Sequence, residues 1–216
     1  GSEACAAVAE VAAATADLDG AEAREALVIA GALGPLAGLL SVASTAEGAA
    51  RAVMHLTRSR CAREAAREAG AVPPLVALLP DPGSTGTTPP ACAVLAAKAL
   101  VNVCNGSNAN RVAVCREGGP RRVAPAVAPG APCAPPGFQE AGALLLATVA
   151  QGSCVEAKES VVEAGAVPSL CAALVALEGD TSEAGASTTR HCLGCLAHLT
   201  TTASEVAAEV RGGVRE

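Results

Sequence analysis

Polar and apolar residues fall in a recurring three-part pattern along the chain. Short stretches such as "CAREAAREA" (Cys61–Ala69) and "VEAKESVVEA" (Val155–Ala164) keep their apolar positions on one side of a 3.6-residue turn. Each leads through a glycine into an apolar run that opens on proline, "PPLVALL" from Pro73 and "PSLCAALVAL" from Pro168. A gap follows, and then a longer helical stretch. These longer stretches are Ala49–Thr57, Ala91–Asn105, Phe138–Gln151 and Thr188–Thr201. The pattern predicts a first helix, a corner, a second helix, a loop and a third helix, repeated. β-Branched and aromatic residues are too sparse for a sheet, so the chain reads as all-α.

The corner has its own wording. "EAGAVPPL" (Glu68–Leu75) returns as "EAGAVPSL" (Glu163–Leu170), with weaker copies in "IAGALGPL" (Ile29–Leu36), "EGGPRRV" (Glu117–Val123) and "RGGV" (Arg211–Val214). Glycine supplies the left-handed backbone that ends one helix, and proline suits the first turn of the next, where its missing N–H costs nothing. Aligning Gly31, Gly70, Gly119, Gly165 and Gly212 gives steps of 39, 49, 46 and 47 residues. Steps of this size mark armadillo and HEAT arrays. Three helices per unit around an "AGAVPPL" corner resemble the armadillo repeat; HEAT repeats normally have two helices and lack that corner.

The resemblance covers nearly the whole chain and implies a right-handed α-solenoid, an armadillo-type superhelix of three-helix repeats. About four repeats are expected, near 16–59, 60–107, 108–153 and 154–202, in a single array over 1–216. The third unit reads as degenerate, because Pro125 and Pro129 stand where its second helix should run. The chain opens in what reads as a third helix (Glu3–Thr15) and stops just after a corner glycine, so a piece of a longer array, with partial end units, is expected. The stretches Pro80–Pro90, Ala128–Gly137 and Glu178–Ser187 all fall between second and third helices, which would line them along one edge.

Composition sharpens this picture. Hydrophobic residues make up 51% of the 216, yet there is one Phe and no Trp or Tyr, and alanine carries much of the apolar share. Helices this poor in large side chains must approach closely. The formal charge of −6, with no aromatic platform for base stacking, argues against a nucleic-acid partner. Ten cysteines are too dilute for a disulfide scaffold and sit mostly in apolar helical runs, as in "ACAVLAAKALVNVC", so reduced and shielded thiols in the cytoplasm or nucleus are expected. No stretch reads as a signal peptide or a membrane span.

The armadillo resemblance also implies where a partner would bind. In the peptide-binding members, third helices line a concave groove, and an Asn on each holds the backbone of an extended ligand, often with a Trp four residues earlier. The equivalent positions here are His55, Asn102, Thr148 and His198, preceded by Arg51, Lys98, Leu144 and Gly194. Only Asn102 matches, so recognition of basic import signals is not expected. One turn further lie Arg58, Asn105, Gln151 and Thr201, which completes a polar stripe on each helix. Arg51, His55, Arg58 and Lys98 make the stripe cationic at its start.

The reading is therefore a non-enzymatic scaffold or adaptor that takes an extended, acidic protein segment. The candidate groove residues are Arg51, His55, Arg58, Lys98, Asn102, Asn105, Thr148, Gln151 and His198. Alternatives are a permanent subunit of a cytoskeletal or ciliary assembly, or the recognition arm of a multidomain ubiquitin ligase. No cofactor, metal or membrane insertion is expected. Cys192-Leu-Gly-Cys195 has no second ligand pair, the three histidines join no nucleophile set, and the repeated glycines belong to corners.

Overall fold

The computed structural model describes residues 21–83, 90–135 and 137–212, with side chains placed for all of them except 90 and 202–212. The expected helix Glu3–Thr15 lies outside these residues. Twelve helices run through them and no strand. They fall into four sets of three: α1 (Ala21–Ile29), α2 (Leu33–Leu39) and α3 (Ala46–Leu56); α4 (Arg60–Glu68), α5 (Val72–Ala77) and α6 (Pro90–Cys104); α7 (Asn108–Arg116), α8 (Gly119–Val127) and α9 (Phe138–Ala150); α10 (Val155–Glu163), α11 (Ala166–Ala176) and α12 (Glu183–Gly212).

Each third helix packs on the next, α3 on α6, α6 on α9 and α9 on α12, which makes the array an α-solenoid. One apolar core runs from Leu33 to Cys195 without a break. Alanine sets the spacing between the third helices: Ala50, Ala52, Ala96, Ala97, Ala99 and Ala143 are wholly buried. Leucines from every unit fill the layers between, with Leu56, Leu75, Leu100, Leu146 and Leu170 fully enclosed. Small residues at the crossing and large ones beside it keep the core dense.

The corner glycines Gly31, Gly70 and Gly165 are left-handed, with φ of +79°, +73° and +74°. In the third unit the left-handed residue is Gly118 (φ +80°), not Gly119. Gly119 is the first residue of α8 and is glycine for a different reason: a Cβ there would lie 2.6 Å from Val114 Cγ1. The corner steps are therefore 39, 48 and 47 residues.

Two further expectations are corrected. Pro125 does not prevent the second helix of unit three, because α8 runs through it and ends two residues later at Val127. Proline deprives the Arg121 carbonyl of a donor, but Val123, Ala124, Ala126 and Val127 are all buried there, and that packing outweighs the lost bond. Gly212 marks no corner either, since α12 continues unbroken to it. The outer third helices also begin earlier than their patterns suggest, at Ala46 and Glu183.

A feature unseen in the sequence ties the first helix of a unit to its own third helix. Arg24, Arg63, Arg111 and Lys158 each stand seven residues before a left-handed corner glycine. Arg63 Nη1 donates to the Asn105 carbonyl at 2.8 Å, and Arg111 Nε to the Thr148 carbonyl at 3.0 Å. Lys158 Nζ donates to Thr201 Oγ1 at 3.2 Å. Arg63 and Arg111 thus sit at the C-terminal ends of third helices, where unpaired carbonyls carry partial negative charge, whereas Lys158 reaches a side chain within α12. Gly152 (φ +87°) leaves room for this at the end of α9, because a Cβ there would lie 2.8 Å from Arg111 Nη1.

Candidate ligand groove

The stacked third helices expose one edge each, and helical spacing decides which residues occupy it. On α3 and the residues just after it the exposed side chains are Glu47, Arg51 and Arg58, with His55 half-buried between them. On α6 the matching positions are Lys98 and Asn105, both exposed, and Asn102, half-buried. Asn102 Nδ2 donates to the Met54 carbonyl at 2.9 Å, which crosses directly from α6 to α3. That bond places the two edges side by side, so the structure brings together the candidates of the first two units.

The remaining candidates are arranged differently. On α9 Leu144 is half-buried and Thr148 buried, and the Thr148 hydroxyl donates back to the Leu144 carbonyl at 2.8 Å. Thr148 therefore has little to offer a ligand. Gln151 is exposed at the end of α9, where the backbone has already turned extended. On α12 His198 is half-buried and Thr201 exposed, with the Thr201 hydroxyl donating to the His198 carbonyl. An amide able to pair with peptide backbone stands at the ladder position of α6 alone among the four third helices.

Charge also divides the edge. Arg51 is paired with Glu47, one turn earlier, at 2.8 Å, and both remain half-exposed, so the pair leaves little net field. Arg58 and Lys98 make no ion pair among the described residues. Towards α9 the sign changes: Glu140 accepts a hydrogen bond from Ser187 at 2.6 Å. Burial pushes the His191 imidazole below its usual range; nearby Glu140 opposes that shift and Arg190 adds to it. Glu47, Glu140 and His191 were not singled out in the sequence, although Glu47 is recognisable there as an i, i+4 partner of Arg51.

Among the described residues no group of His, Cys, Asp or Glu is placed to hold a metal ion. The nine described cysteines are free thiols, most of them buried or half-buried as expected, with Cys61 and Cys171 exposed. Burial raises the Cys104 and Cys195 thiols to about 12 and Cys192 to about 11, so these three stay protonated and unreactive near neutrality. A cleft of about 630 Å³ between α4, α5, α7 and α10 is lined by Arg67, Pro73, Asn108, Val112, Arg116 and Glu156 among others, away from the third helices. Its cations are already engaged, Arg67 with Glu64 and Glu68, and Arg116 with Glu156. No single described helix is long and apolar enough to cross a membrane.

No protein-family model matches the chain, and no curated protein does. Solved structures do. An engineered protein is 26% identical with a TM-score of 0.73, covering 98% of this chain and 78% of its own. A designed armadillo repeat protein in complex with the peptide (KR)4 is 22% identical with a TM-score of 0.70, over 91% of this chain and 74% of that one. An armadillo-repeats-only protein from Plasmodium falciparum is 13% identical with a TM-score of 0.66, over 88% and 79%.

Proposed function

Because this chain has the armadillo-repeat fold, an all-helical solenoid of three-helix units, we propose that it is a non-enzymatic protein-binding scaffold whose third-helix edge takes an extended, acidic partner segment. The observation that carries this reading is the pair Arg58 and Lys98. They are exposed and make no ion pair among the described residues; Arg58 lies in the turn that ends α3 and Lys98 on α6, and the Asn102–Met54 bond joins these two third helices, in a chain of net charge −6. The peptide (KR)4 held by the designed neighbour is basic; uncompensated cations here favour the opposite sign. Asn102 keeps its Oδ1 and one N–H for a peptide backbone after its bond to Met54. A reducing compartment, the cytoplasm or nucleus, suits the free thiols of the nine described cysteines.

Fluorescence anisotropy with an acidic and a basic peptide of equal length tests the reading. The acidic peptide should bind, and binding should weaken as salt rises. Arg58→Glu combined with Lys98→Glu should abolish it while leaving the helical circular dichroism unchanged. Equal binding of both peptides, or an unaffected double variant, would refute the reading.

A further inference from the structure

The end of the fourth unit differs from the other three in a way that points to an occupant. Counted from the left-handed corner glycine, the residues two, six and nine positions on belong to the second helix or its end. In unit one these are Leu33, Ala37 and Leu40; in unit two, Val72, Val76 and Leu79; in unit three, Pro120, Ala124 and Val127. All nine are buried. The same positions in unit four are Val167, Cys171 and Leu174. Val167 and Cys171 are exposed and Leu174 is half-buried. The third helix repeats the contrast: Ala50, Ala97 and Ala143 have no exposure, whereas their equivalent, Leu193, is 54% exposed. Val175, beside Leu174, is 72% exposed.

These positions are buried wherever another unit follows, so the apolar character of the fourth set is that of an inter-unit interface left uncovered. We propose that this end face is a docking surface for one more three-helix unit of the same kind, stacked in the register of the four present. The face continues the existing interface position by position, and so it fits a layer of two or three helices carrying small apolar residues. Leu193 stands where the interior units have alanine, so the incoming unit must leave space for the three extra side-chain carbons at that point. The inference is independent of what the groove binds.

Cys171 provides the readout, and Cys61, exposed in unit two, provides the internal reference. The 216-residue chain is compared with one in which residues 202–216 are replaced by a second copy of residues 152–201, the copy's own equivalent of Cys171 being changed to serine. The extended chain is made both with Leu193 and with Leu193→Ala. Maleimide labelling of Cys171 should slow at least tenfold relative to Cys61 in one or both extended chains. Leu193→Glu in the extended chain should restore fast labelling. Unchanged labelling in both extended chains would overturn the proposal. So would protection of Cys171 in the 216-residue chain that grows with protein concentration, which would assign the face to a second copy.

Discussion

Arg111 is a charge held inside the protein, 5% exposed, with Nε on the Thr148 carbonyl and Nη1 on Asn108 Oδ1 at 2.6 Å. Replacing it by methionine keeps most of the packing and strands the carbonyl. Arg111→Met should therefore lower unfolding free energy by about 1–3 kcal/mol in urea titrations, whereas Arg58→Met at the exposed edge should stay within about 0.5 kcal/mol. The first-helix cations were readable in the sequence, but taking Gly119 for the corner made one offset eight and hid a constant seven. The thiols make a second residue-scale prediction. An unfolded cysteine ionises near pH 9, while Cys104 and Cys195 keep their protons to about 12 in the fold. Between those values the folded state binds more protons than the unfolded one, so stability falls as pH rises through the window and is flat below it. Urea midpoints measured from pH 7.5 to 10.5 should decline above about pH 9, and Cys104→Ala should make the decline shallower.

At the scale of elements, the helices were legible because apolar periodicity and the Gly-Pro corner are local signals. α8 was not, because the helix-breaking rule for proline counts a lost hydrogen bond and a ring clash but not the burial around them. Pro125 still carries that cost. Pro125→Ala should restore a donor to the Arg121 carbonyl and raise unfolding free energy by about 1–2 kcal/mol, the proline penalty less the entropy gained by the unfolded chain. Chemical denaturation would show it, and an unchanged or lower midpoint would mean the helix is already relaxed around the ring. The gap at Ala128–Gly137 is also placed correctly, since α8 and α9 flank it, whereas the second half of Glu178–Ser187 belongs to α12, which starts at Glu183.

At the scale of the whole molecule, each unit meets only its neighbours, so stability is shared along the array and the last unit has one partner fewer. Cys104 and Cys195 are both fully buried, one in the second unit and one in the fourth. In sub-denaturing urea, thiol labelling should reach Cys195 first; simultaneous labelling would mean that the array opens as one block. The architecture was legible in the period of the sequence. The edge that faces a ligand was legible only in part, because helix stacking, the Arg51–Glu47 pair and the inward turn of the Thr148 hydroxyl decide what is presented, and none of these is a local pattern.

The first-helix cations have a consequence for how such a chain can change over generations. Arg63 and Arg111 grip main-chain carbonyls, those of Asn105 and Thr148, and a carbonyl persists whatever side chain its residue bears. Drift at the ladder positions therefore leaves these two fastenings intact. Change at Asn102 gives up its side-chain bond to the Met54 carbonyl but not the arginine fastenings, so lineages can explore new partners along the edge while inheriting the same scaffold.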